Sequence, residues 1–266
     1  MRDLHDAVAI VTGASSGIGR AVALALAREG AHVALAARRE GPLREVAREI
    51  EALGRTALPV PTDVSVREQV SRLVEATLDR WGRVDILIAN AGIYVRRPIR
   101  DLRVEDLERS MAVNFYGGVY PVLDVLPHML ERGRGHIVLV TSMDAKKGIP
   151  PDAPYVAAKF ALAGFGDVLR QELHGTGVGV TVVFPGRVDT PLIENLNVPW
   201  ISAKIPPEAV ARAIIRGIRH RSPEIIVPWQ ARLLLYAHVL SPRFADWAVR
   251  FFHLEGEDTE NTLPHT

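Results

Sequence analysis

Tyr155 and Lys159 stand four residues apart in Tyr155-Val156-Ala157-Ala158-Lys159, and Ser142 lies 13 positions upstream of the tyrosine. On a helix this spacing puts the phenol and the ammonium on one face. A free phenol, with a pKa of about 10, gives up its proton poorly at neutral pH. One positive charge about 4 Å away, at an effective dielectric near 20, stabilises a phenolate by roughly 4 kcal/mol. That is an upper limit of about three pKa units, which solvent and burial reduce. Tyr155 so placed is a candidate acid/base. The Ser142 hydroxyl suits an oxygen on which charge develops. Taken alone, a Tyr-x3-Lys pair is as well read as a core tyrosine beside a surface lysine.

A second pattern lies near the N-terminus. An apolar run, residues 7–11, leads into Thr12-Gly13-Ala14-Ser15-Ser16-Gly17-Ile18-Gly19, and helical spacing follows at once. Glycines there let the backbone approach a pyrophosphate, and the helix start offers free N–H groups to that anion. Gly13, Ser15, Ser16, Gly17, Ile18 and Gly19 are the candidate contacts. The spacing is Gly-x3-Gly-x-Gly rather than the commoner Gly-x-Gly-x2-Gly. No Lys-Ser or Lys-Thr follows, which excludes a Walker loop. A dinucleotide site with NAD selectivity sets an acid after the second strand, for the ribose 2′-hydroxyl. Here that place reads Ala36-Ala37-Arg38-Arg39. Arg forks suit a 2′-phosphate, so NADP is expected ahead of NAD. The alternative is that Arg38 and Arg39 are solvated charges opening a helix.

The elements that must position these groups alternate along the chain. Apolar, β-branched runs at 7–11, 32–36, 57–61, 84–89, 136–141, 178–184 and 224–227 read as strands buried on both faces. Between them, 18–29, 42–53, 66–81, 104–130 (broken near Pro121), 157–173 and 207–220 read as helices with apolar stripes. Strand-helix alternation predicts a doubly wound α/β fold, a parallel sheet of about seven strands with helices on both faces. Ligands of such sheets bind at the carboxyl ends of the strands. Gly13, Asp63, Asn90, Ser142 and Pro185-Gly186 each follow a predicted strand.

The 266 residues are 48% apolar and 24% charged, which excludes wholesale disorder. A net charge of +1 gives no reason to expect nucleic acid as a partner. With no cysteine, thiolate catalysis, disulfides and cysteine metal sites are excluded, and the histidines show no metal-ligand spacing. No apolar run approaches the ~18 residues of a spanning helix, and the first residues do not resemble a secretory signal. The expectation is a cytoplasmic protein. One domain is expected over 1–254, including a mobile apolar lid at 190–205 and a helical extension at 229–253, with a flexible polar tail at 255–266.

At this point the sequence resembles the short-chain dehydrogenase/reductase family over roughly residues 6–190. The glycine turn matches the family's TGxxxGxG, Asn90-Ala91-Gly92 its NAG block, Ser142 with Tyr155 and Lys159 its Ser and YxxxK site, and Pro185-Gly186-Arg187-Val188-Asp189-Thr190 its PG motif. The resemblance implies a Rossmann-type fold in which NADP(H) exchanges a hydride with a carbonyl or secondary alcohol. It implies that Asp63 and Val64 hold the adenine, that Asn90, Ala91 and Gly92 wall the cofactor site, and that Pro185, Gly186, Val188 and Thr190 line the nicotinamide side. Asn114 would complete the catalytic set by holding a water linked to Lys159. Lys159 would also bond the ribose hydroxyls. A homodimer or homotetramer is implied, paired through the helices at 104–130 and 157–173. On the residues alone, Asp63 also reads as a helix cap, Asn114 as a brace for a bend, and Pro185-Gly186 as a turn.

Lys146 and Lys147, after Ser142, depart from the family's small residues and are read as solvated charges near the cleft mouth, ahead of contacts for an anionic substrate group. The extension at 229–253 reads as two short helices with aromatic, basic edges. Packing against the body or a sister subunit is expected, ahead of contact with a membrane surface. The apolar lid favours a hydrophobic substrate, steroid-, lipid- or terpenoid-like. A 3-oxoacyl thioester reductase is a second enzymatic reading, and a dinucleotide sensor without turnover is a reading of another class.

Overall fold

A computed structural model of the protein describes residues 3–258. Every residue of strand β1 (Val8–Thr12) is buried because its alternate side chains serve two layers. Ala9 and Val11 pack with Val22 and Leu26 of helix α1 (Gly17–Arg28), Leu43, Val46 and Ile50 of α2 (Glu40–Ala52), and Ile214 and Ile218 of α7 (Pro207–His220). Ile10 packs on the opposite face with Leu73 of α3 (Arg67–Trp81), Val122, Val125 and Met129 of α5 (Gly117–Glu131), and Leu162 and Leu169 of α6 (Ala153–Glu172). Double burial is why these strands read as continuous apolar runs.

With β2 (His32–Ala37), β3 (Ala57–Pro61), β4 (Ile86–Ala89), β5 (Gly135–Val140), β6 (Val178–Pro185) and β7 (Glu224–Val227), the order across the one seven-stranded sheet is β3-β2-β1-β4-β5-β6-β7. All neighbours are parallel, with Ile10 opposite Ala34 on one side and Leu87 on the other. The order reverses direction between β1 and β4. The carboxyl ends of those two strands frame the switch-point crevice of a doubly wound sheet. Expected and observed strands agree within two residues at each end.

The long helix expected at 104–130 is instead α4 (Val104–Ser110), a wide π turn (Met111–Tyr116) and α5. The break therefore lies before Pro121, which sits inside α5 without ending it. The extension forms α8 (Arg232–Leu240) and α9 (Pro242–Phe251). Ala231 and Leu235 pack on Ala145, Phe184 and Ile226, so the extension covers the β6–β7 edge. Its packing is partial. Ala245, Ala248 and Val249 are buried, while Phe244, Trp247 and Phe251 form an exposed stack of rings with neighbours 5.6 and 4.8 Å apart. Among the described residues no helix is long and apolar enough to cross a membrane.

The expected flexible tail is corrected at its start. Asn197 and Glu257 pair antiparallel, as do Leu196 and Asp258, and this ties residues 257–258 to 196–197. Residues 259–266 lie outside the described residues.

Candidate active site

The crevice begins at the glycine turn. Gly13 and Gly17 have φ of +67° and +54°, a left-handed conformation that favours glycine. A Cβ on Gly13 would lie 2.9 Å from Ala91 Cα, one on Gly17 would lie 2.8 Å from Thr190 Cγ2, and one on Gly19 would lie 2.2 Å from the Gly13 carbonyl. Turn and helix start are thus packed as closely as backbone allows. Thr12 Oγ1 accepts from the N–H groups of Asn90 and Ala91 at 3.0 and 3.1 Å, and Asn90 Nδ2 donates to the Thr12 carbonyl at 3.0 Å. The Asn90 block therefore locks β4 to β1 and fixes the turn.

From there a cleft of about 500 Å³ runs along the carboxyl edge. At one end it is lined by Arg38, Arg39, Asp63 and Val64, in the middle by Ser15, Ser16, Ile18 and Gly92, and at the other end by Tyr155, Lys159, Thr190 and Leu192. Arg38 and Arg39 are exposed, and among the described residues neither forms an ion pair. Asp63 accepts from Ser65 N–H at 3.0 Å and Ser65 Oγ at 2.6 Å, a turn-capping arrangement. Burial raises its carboxyl, but the Ser65 bonds and the Arg38 charge outweigh that and hold it below the usual range. A long groove with glycine backbone and helix N–H groups at its centre and cations at one end fits a dinucleotide.

Not every residue expected on the cofactor lines this cleft. Pro185, Gly186, Val188 and Gly19 do not. Gly186 N–H donates to the Val227 carbonyl at 2.7 Å, and Val188 is buried, bridging to Ile205. Their visible work is to bring the chain back so that Thr190 stands over the turn.

Tyr155 and Lys159 are both buried on α6. Lys159 Nζ donates to the Val140 carbonyl at 3.0 Å and lies 5.6 Å from the Tyr155 ring centroid. A Cβ on Gly92 would meet Asn114 Oδ1 at 2.8 Å and Lys159 Nζ at 3.6 Å, so these groups converge. Asn114 sits in the π turn, a distortion frequent at functional sites. Its amide is engaged locally. Oδ1 accepts from Ile93 N–H at 3.0 Å, and Nδ2 donates to the Ile93 carbonyl at 3.0 Å and to Ser110 Oγ at 2.9 Å. With both N–H groups so used, the side chain braces the loop after Gly92 and has no hydrogen left to give a water.

The electrostatics of the chain's own groups run against one expectation. The Tyr155 phenol is pushed up rather than down. Burial is the main cause, the Asp144 and Asp152 charges add to it, and a hydrogen bond with Ser142 opposes it. Burial does more than reduce the attraction of Lys159, and two carboxylates from distant segments, which no spacing shows, push the same way. Burial also pulls Lys159 from 10.5 down to about 8.

Those carboxylates belong to a charged cluster beside the tyrosine that sequence reasoning missed. The Tyr94 ring meets the Tyr155 ring edge-on, with centroids 4.9 Å apart. Tyr94 Oη donates to Asp152 Oδ2 at 2.5 Å, and Arg96 Nε donates to Asp152 Oδ1 at 3.0 Å. Arg96 also donates to the carbonyls of Glu255 at 2.9 Å and Gly256 at 3.3 Å. Arg187 donates to Ser202 Oγ at 2.7 Å and to the Leu254 carbonyl. Two arginines of this cluster thus hold the carbonyls of residues 254–256. Lys146 and Lys147 are not simply solvated. Lys146 pairs with Glu224 at 2.6 Å and stacks over Phe184, and Lys147 pairs with Asp246 of α9.

The family model described as short chain dehydrogenase matches residues 7–199. An uncharacterized oxidoreductase YxnA of Bacillus subtilis is 35% identical over 256 residues, 92% of this chain and 72% of that one. A ketoacyl reductase HetN of Nostoc sp. is 32% identical over 261 residues, 95% of this chain and 91% of that one. Among solved structures, a short-chain dehydrogenase/reductase from Burkholderia phymatum in complex with NAD superposes with a TM-score of 0.85 at 26% identity, covering 91% of this chain and 96% of the other. An alcohol dehydrogenase from Thermococcus sibiricus complexed with 5-hydroxy-NADP gives 0.77 at 29% identity, covering 84% and 96%. The chain belongs to the short-chain dehydrogenase/reductase family and is an oxidoreductase with its nucleotide-binding Rossmann fold.

Proposed function

We propose that this protein is an NADP(H)-dependent reductase of hydrophobic ketones, with Tyr155 as the acid. The observation that carries the reading is that Tyr155 and Lys159 line the far end of the same cleft whose near wall is the glycine turn. The turn and the first N–H groups of α1 would hold the pyrophosphate, with Ser15, Ser16 and Ile18 beside it. Arg38 and Arg39 would take the 2′-phosphate, and the absence of an acid after β2 supports NADP over NAD. Asp63 and Val64 would border the adenine, Asn90, Ala91 and Gly92 would wall the site, and Thr190, held in place through Pro185, Gly186 and Val188, would close the nicotinamide side.

The bound dinucleotide supplies the hydride. The chain supplies the proton and the grip on the oxygen. A phenol is protonated at neutral pH, the form that gives its proton to a substrate oxygen in the reductive direction. The Ser142 hydroxyl would bond the same oxygen. Lys159 would orient the ribose, and Asn114 would keep the Gly92 loop against it.

Leu192 at the cleft and the exposed Trp200 support a lid over 190–205 that closes on an apolar substrate. Exposed Leu123, Phe160 and Val168 on α5 and α6 support a homodimer or homotetramer paired there. The 32% identity to a protein named ketoacyl reductase supports a second reading, reduction of a 3-oxoacyl thioester. Nicotinamide absorbance with NADPH and a panel of bicyclic ketones and 3-oxoacyl thioesters tests both. Turnover of free ketones supports the first reading, turnover confined to thioesters supports the second, and tight NADPH binding without turnover refutes both in favour of a sensor.

A further inference from the structure

Ser142 has one hydroxyl proton, and the structure gives it a competing destination. Asp144 N–H donates to Ser142 Oγ at 3.1 Å, and Ser142 Oγ stands 3.1 Å from Asp144 Oδ2. If the carboxylate is ionised it can only accept, so the hydroxyl proton points at Asp144. Ser142 then offers its lone pairs to Asp144 N–H and the Tyr155 hydroxyl and has no proton left for a substrate carbonyl, which can only accept. If Asp144 is protonated, its own O–H donates to Ser142 Oγ and the hydroxyl proton is released towards the substrate oxygen. We propose that Asp144 is a positioning residue that sets the direction of the Ser142 proton, and with it whether Ser142 can donate to a carbonyl. This rests on the reductase reading above, and it adds a group that the Ser-Tyr-Lys pattern does not contain.

The surroundings hold Asp144 near its switching point. Burial and the Asp152 charge push its carboxyl up to about 7, against the Ser142 bond and the Arg187 and Arg96 charges. The titratable and charged groups that act on it are Tyr94 and Arg96 from the loop after β4, Asp152 ahead of α6, Tyr155 on α6, and Arg187 after β6. Asp152 is the second carboxylate, but Tyr94 and Arg96 occupy both of its oxygens, which leaves Asp144 as the one in contact with Ser142.

Sign and size follow. Below the midpoint Ser142 donates and reduction proceeds. One pH unit above it, about a tenth of Asp144 is protonated, so reduction falls roughly tenfold. Asp144→Asn places an amide N–H where the acid proton would be, at every pH.

Two readouts test this. First, 13C resonances of labelled Asp carboxyls are followed from pH 4 to 9 in the full chain, in Asp144→Asn and in Ser142→Ala. A midpoint near 7 that vanishes in the first variant and moves in the second is expected; an Asp144 midpoint below 5 overturns the proposal. Second, kcat for 2-decalone with NADPH is compared at pH 6 and 8. The wild type should fall about tenfold while Asp144→Asn stays flat and exceeds it at pH 8. A variant that keeps the wild-type fall, or is slower by one factor at all pH values, overturns the proposal. Lack of turnover with any carbonyl would instead sink the reductase reading, and the resonance titration would still decide the role of Asp144.

Discussion

Lys159→Met should change how stability depends on pH, by an amount the structure sets. Lys159 Nζ is buried with the Val140 carbonyl as its hydrogen-bond acceptor, and burial lowers its pKa from 10.5 to about 8. Keeping the ammonium buried therefore costs roughly 3 kcal/mol wherever it is charged in both folded and unfolded chains, that is, below about pH 8. Between about pH 8 and 10.5 the folded chain releases this proton while the unfolded chain keeps it. The unfolded state then binds more protons, so stability rises with pH. Methionine is close in volume and has no charge to bury. Relative to Lys159→Met, the wild type should gain about 2 kcal/mol between pH 7.5 and 9.5. Urea unfolding of both proteins at the two pH values reads this as a double difference, from which all other titrating groups cancel. Parallel stabilities within about 0.5 kcal/mol would refute the burial argument.

Gly19→Ala forces a Cβ to within 2.2 Å of the Gly13 carbonyl, and backbone cannot yield there without reshaping the turn. Urea unfolding should show a loss of about 3 kcal/mol, and NADPH fluorescence should show weakened binding. Arg38→Ala should raise the Kd for NADP about tenfold, ~1.4 kcal/mol, and leave that for NAD nearly unchanged, measured by calorimetry; equal affinities in the wild type would refute the cofactor preference. Ending the chain after His253 removes the carbonyls that Arg96 and Arg187 hold and the partner of Leu196–Asn197. Limited proteolysis within 190–205 should then speed up about fivefold with the far-ultraviolet spectrum unchanged.

The strands were legible because a parallel sheet buried on both faces demands unbroken apolar runs, and 57–61 and 224–227 are observed at the bounds expected. The glycine turn was legible for a similar reason, since close backbone approach excludes side chains at Gly13 and Gly17. The helix break was assigned to Pro121 because proline is the loudest local signal. The actual break is the π turn that carries Asn114, and nothing in its composition marks it. The upward push on Tyr155 was not legible because Asp144 and Asp152, which act with burial, share a cluster with Tyr94, Arg96 and Arg187 drawn from several separate segments. Only the fold brings them together, and no spacing rule joins residues 94 and 187. The docking of residues 254–256 was hidden for the same reason, because its partners are main-chain carbonyls that any sequence supplies.

The role of Tyr155 is tested most directly by isotope transfer from C4-dideuterated NADPH to 2-decalone, read by mass spectrometry of the alcohol. The wild type should place one deuterium on the carbinol carbon. Tyr155→Phe should bind NADPH as tightly as the wild type and yield at least about a thousandfold less labelled product. Labelled alcohol formed by Tyr155→Phe at a comparable rate would contradict the assignment of the proton to this phenol.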